Sequence, residues 1–189
     1  MRREELARLL RGSAIYAVGN VANRLVSLLM LPFLTAFLTP GEFGALSLLT
    51  VFSLFLVPLF SLGLGSSIGV CYFNAGSADR RGAVIWTAAW LSLGAGVILA
   101  GAGLAWAEAV SRMVTGLPHF AAAAALAVVA AALGVIGLPW QLKLQFEERP
   151  LAFVLASLAN AAVNGALTVW LVAAAGAGIV GPLLGAAAG

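Results

Sequence analysis

Residues 12–69 read GSAIYAVGNVANRLVSLLMLPFLTAFLTPGEFGALSLLTVFSLFLVPLFSLGLGSSIG, and only Arg24 and Glu42 are charged in that stretch. It divides at Thr39-Pro40-Gly41-Glu42, whose composition marks a tight turn, into two apolar runs, 13–38 and 43–72. Each is long enough to cross a bilayer whose hydrocarbon core is about 30 Å thick. The pattern repeats along the chain at 83–106, 120–142 and 151–174, and a shorter run occupies 178–189. That last run, about 12 residues, covers about 18 Å, so the expectation is five complete transmembrane helices and a sixth cut short.

The rest of the composition agrees. Hydrophobic residues make up 62% of the 189 and charged residues 9%, and the mean hydropathy is +1.07. A chain with so little polar surface cannot cover a water-soluble globule, so the fold class is all-α, a polytopic transmembrane helix bundle forming one lobe over 1–189. The net charge of +3 belongs to the connectors. Arg2, Arg3, Arg8, Arg11, Arg80, Arg81, Lys143 and Arg149 fall on one side of the membrane and only Arg112 in a connector on the other. This imbalance puts the N-terminus in the cytoplasm and the loop from Glu108 to His119 outside. Basic residues used in this way leave nucleic-acid binding without support.

Small residues at close spacing, Gly65 with Gly69, Gly94, Gly96, Gly101 and Gly103, and Gly134 with Gly137, allow helices to approach closely. Pro32 and Pro58 fall inside spans one and two, where each removes a helical hydrogen bond and introduces a kink. Cys71 is the sole cysteine and forms no internal disulfide.

Polar residues inside the membrane mark candidate sites. Tyr16, Asn20, Arg24 and Ser27 recur at helical spacing on one face of span one, with Asn23 beside them. An Arg at this depth faces a partner or a water-filled cavity, where its guanidinium suits a phosphate, or else it snorkels to the near interface. Asn160, Asn164 and Thr168, four apart, share a face of span five. They serve either substrate contact or hydrogen bonds between helices. No Asp or Glu lies inside the five spans, which leaves no intramembrane carboxylate for a proton relay. His119 is the only histidine, and neither a metal-ligand cluster nor a nucleophile and base pair accompanies it. The expectation is a protein with no catalytic residue, no metal and no cofactor. The polar segment Gln141 to Arg149 reads as a helix end protruding into the cytoplasm.

The stretch quoted above resembles the start of the polysaccharide biosynthesis transporters, the O-antigen and lipid-linked oligosaccharide flippases related to MATE exporters and lipid II flippases. LTAFLTPGEFGALSL and SLGLGSSIG carry the likeness at the beginning, and LQFEERPLAFVLASLANAAVNGALTVWLVAAAGAGIVGPLLGAAAG carries it at the end. The resemblance implies two pseudo-symmetric lobes around a central cavity, of which this chain is the N-terminal one, working by alternating access in the bacterial inner membrane. It implies an undecaprenyl-pyrophosphate-linked oligosaccharide as substrate, with Arg24 on its pyrophosphate and Asn20, Asn23, Asn160 and Asn164 as further contacts. A polysaccharide polymerase or ligase is the implied partner. Two departures stand out: Val70, Cys71 and Tyr72 occupy the end of helix two where the family has a basic residue, and helix one lacks the acidic residue of drug-exporting relatives. A MATE-like exporter of drugs or amphiphiles, a membrane-embedded transferase and a non-catalytic assembly subunit are the competing classes.

Overall fold

The computed structural model describes residues 17, 21, 24, 25, 28–61, 63–147, 150–173 and 178–188. These are almost entirely helical: α1 Leu28–Phe37, α2 Pro40–Ser61, α3 Leu64–Asn74, α4 Ala78–Ala105, α5 Ala107–Thr115, α6 Ala121–Phe146, α7 Pro150–Ala173 and α8 Val180–Ala188. A 3₁₀ turn, Pro118–Phe120, leads into α6. No strand occurs among the described residues. Four segments are long and apolar enough to span a membrane, Pro40–Ser61, Ala78–Ala105, Pro118–Phe146 and Phe153–Val172. The chain is a multi-pass membrane protein. Eleven of the 26 residues of the first expected span, 13–38, and the arginines before it lie outside the described residues.

The turn at Pro40 is a helix start held by reciprocal capping. Thr39 N and Thr39 Oγ1 both donate to Glu42 Oε2, at 2.9 and 2.7 Å, while Glu42 N donates to Thr39 Oγ1 at 3.3 Å. Pro40 sits at the first helical position, where its missing N–H leaves nothing unsatisfied. At the other end of α2 the structure departs from the expected single span over 43–72. The helix stops at Ser61, three residues past Pro58, and α3 starts afresh at Leu64. Gly63 makes the break possible with a φ of 73°, a left-handed conformation that costs a glycine little. Its carbonyl then accepts from Ser67 N at 3.1 Å and Ser66 Oγ at 2.9 Å, which starts α3.

A second departure is α5. The expected outer loop contains a nine-residue helix whose Val110 and Val114 pack on the core while Arg112 and Met113 stay exposed. Its length stays below what a hydropathy reading registers, but its apolar residues repeat at helical spacing.

Helix α6 is the centre of the bundle and packs against α2, α3, α4, α5, α7 and α8. Ala123, Ala124, Ala127, Ala131 and Ala132 are all buried on it, and such small side chains let neighbours come close. The tightest approach is to α4. A Cβ built on Gly96 would stand 2.7 Å from Ile136 Cδ1 and 3.0 Å from the Ala132 carbonyl oxygen, and one on Gly103 would stand 2.5 Å from Val128 Cγ1. Gly94 and Gly101, in the same helix, face open space. Two of the four expected packing glycines therefore make the contact, seven residues apart on one face.

Three apolar layers stack along the bundle. Leu38, Leu49, Ala124 and Leu183 form one at the Pro40 end. Leu56, Leu99, Ala132 and Val135 form the middle, and Ile68, Tyr72, Ile85 and Ala88 the end that carries Arg80. Outside this core, Leu28, Phe55, Trp90, Ile98 and Trp170 each leave more than half their surface uncovered. An apolar periphery of this extent needs lipid as its solvent.

Candidate substrate-contact residues

Arg24 is helical and exposed. It lies fourteen positions before Leu38 and four before the first residue of α1. Among the described residues no carboxylate pairs with it. Tyr16, Asn20, Asn23 and Ser27 lie outside the described residues, so the polar face expected on span one is seen only at Arg24.

The two asparagines of α7 part company. Asn160 is exposed and lines a cleft of about 520 Å³ between α6 and α7, with Gln141, Phe153, Ser157 and Val163. Asn164 is half-buried and turned to α8: Thr168 Oγ1 donates to its Oδ1 at 3.3 Å, and a Cβ on Gly185 would stand 3.0 Å from that same oxygen. Along this side of α7, Gly181 of α8 meets Val172 and Gly185 meets Thr168 and Asn164. Gln141, first assigned to a solvated helix end, is the residue the sequence reading missed at this cleft. As the first polar residue after the apolar run of α6, it signals a lining position at the edge of the membrane.

Apart from Arg24, the described charged residues lie at the two ends of the bundle. At the Pro40 end Arg112 Nη2 pairs with Glu108 Oε2 at 3.4 Å, both exposed. At the other end stand Arg80, Arg81 and Lys143, the last 3.8 Å from Glu147 Oε1 and 5.8 Å from the Trp140 ring centroid. Among the described residues no group of three or more His, Cys, Asp or Glu side chains comes together in a way that would hold a metal ion.

The model of the polysaccharide biosynthesis protein family matches residues 9–189. The chain belongs to that family. Its members are transporter-like membrane proteins rather than typical enzymes, in keeping with the multi-pass bundle. No curated protein and no solved structure matches the chain.

Proposed function

We propose that this chain forms the N-terminal lobe of a flippase that carries an undecaprenyl-pyrophosphate-linked oligosaccharide across the bacterial inner membrane by alternating access, without making or breaking a bond. The feature that supports the reading, beside the family, is Arg24, an exposed arginine in the first long hydrophobic run of the chain. Such a group requires an anionic or aqueous neighbour, and its planar fork suits a pyrophosphate. Asn160, on the open cleft with Gln141, is a secondary contact for the sugar or phosphate oxygens. Asn164 serves in this reading through the α7–α8 hairpin, and Asn20 and Asn23 extend the polar face of helix one.

The cytoplasmic N-terminus follows from the distribution of arginines, which places Arg80, Arg81 and Lys143 on the side where the lipid-linked unit is assembled. The reading is tested by polymer export in cells that depend on this gene. Arg24→Ala is expected to abolish export, and Arg24→Lys to restore part of it, because an ammonium keeps the charge without the bidentate geometry. Export at the wild-type rate by both variants would remove Arg24 from the mechanism. Drug efflux in place of polymer export would transfer the chain to the MATE-like reading.

A further inference from the structure

A second feature of the bundle, independent of Arg24 and of the proposed transport, is a groove between α3 and α4. Leu64, Ser67 and Cys71 form one wall and Val84, Thr87 and Leu91 the other, enclosing about 310 Å³. The walls are predominantly apolar, and Cys71 and Leu91 are exposed along them. From Val84 to Leu91 the groove follows α4 for about 10 Å.

Arg80 lies one turn before Val84 on α4, where residues 80, 84, 87 and 91 recur at helical spacing and so share the face that lines the groove. Arg81, the next residue and so about 100° around the helix from Arg80, has its guanidinium carbon 5.5 Å from the centroid of the buried Tyr72 ring. Asp79, the nearest carboxylate in sequence, is turned about 100° from Arg80 around the helix, away from Arg81. The N-cap Ser77, which accepts from Arg80 N at 3.4 Å, fixes the start of the helix that aims these side chains. Two exposed cations therefore stand on α4 at the Arg80 end of a mainly apolar slot.

We infer that this groove binds an anionic phospholipid of the surrounding bilayer, its phosphate on Arg80 and Arg81 and one acyl chain between α3 and α4. Charge complementarity selects the headgroup, and the short, open slot fits a segment of acyl chain supplied at bilayer concentration. A basic residue near the surface contributes about fivefold to the affinity for an anionic lipid.

The test reconstitutes the full chain in phosphatidylcholine nanodiscs and measures, by electron spin resonance, the immobilised fraction of chain-spin-labelled phosphatidylglycerol against spin-labelled phosphatidylcholine. Wild type is expected to prefer phosphatidylglycerol, R80Q and R81Q each to lose about fivefold of that preference, and R80Q/R81Q to abolish it. R112Q, at the opposite end of the bundle, controls for net charge and is expected to retain it. Ser67→Phe, which fills the slot without touching a cation, is expected to release the immobilised chain. Three results would overturn the inference: a preference unchanged in R80Q/R81Q, an equal loss in R112Q, or full immobilisation in S67F. Displacement of the labelled lipid by a polyprenyl phosphate at a hundredth of its concentration, a ratio far beyond the electrostatic selectivity of two arginines, would assign the groove to that lipid and overturn the inference as well. None of these readouts depends on transport, so polymer export can fail or succeed without deciding them.

Discussion

Thr168 and Asn164 are joined side chain to side chain, Oγ1 to Oδ1 at 3.3 Å, on the face of α7 that receives Gly185 of α8. A methyl group at position 185 would stand 2.5 Å from Thr168 Oγ1 and 2.8 Å from the Asn164 backbone oxygen. The hydroxyl can rotate away but the carbonyl cannot. Gly185→Ala is therefore expected to destabilise the bundle by about 1–3 kcal/mol in a detergent unfolding titration, and Thr168→Ala in the same chain to recover only part of the loss. Asn160→Ala, on the open cleft, is expected to leave stability unchanged.

The same logic separates two glycines of α4. Gly96→Ala drives a Cβ against Ile136 and the Ala132 carbonyl, whereas Gly94→Ala meets nothing within 4 Å. The first is expected to lower stability by about 1–3 kcal/mol. The second is expected to be neutral or slightly stabilising, since alanine is the better helix former. Equal effects in thermal melts would contradict the α4–α6 packing described above.

Glu42 ends the connection between α1 and α2 by capping α2. Gln at this position keeps an acceptor for Thr39 N and Oγ1, and Ala does not. Glu42→Ala should cost about 1 kcal/mol and Glu42→Gln appreciably less, measured by the same titration.

Ser53 Oγ lies within hydrogen-bond distance of two carbonyl oxygens, Leu49 at 2.9 Å in its own helix and Ala127 at 3.1 Å in α6. Ser53→Ala removes the bridge between α2 and α6. A loss near 0.6 kcal/mol is expected, the usual size of such a bond in a membrane interior.

Met113 is 82% exposed on α5, and α4, 28 residues long and so about 42 Å from end to end, separates it from Asp79. In a Cys71→Ser background, Met113→Cys is expected to react with a membrane-impermeant thiol reagent in intact cells, and Asp79→Cys only after permeabilisation. The opposite pattern would invert the topology read from the arginines.

Much of this molecule was legible in its apolar runs, because spans of twenty or more residues announce themselves whatever packs on them. The break at Gly63 was not. It falls inside a continuous hydrophobic stretch, and Pro58 pointed to a kink a few residues early; only the left-handed Gly63 and its carbonyl, taken up by Ser66 and Ser67, show where the helix restarts. Helix α5 escaped because nine mixed residues carry too weak a hydropathy signal. The sites divide for a different reason. Asn160 and Asn164 are indistinguishable by periodicity, and what separates them is the contact of Gly185 with Asn164 and Thr168, a tertiary fact that no spacing rule contains. Arg24 stands out in the sequence because a charge in an apolar run is conspicuous in any context.

The close seam between α4 and α6, set against the open cleft between α6 and α7, gives the bundle unequal stiffness. At Gly96 and Gly103 the α4 backbone lies directly against the Ile136 and Val128 side chains of α6, so α4 and α6 move together. Next to Asn160 the neighbouring helices touch sparingly, and a force on the bundle is relieved there first. Any flexing of this bundle would therefore carry α4 and α6 together and concentrate its deformation on the flank where Gln141 and Asn160 stand.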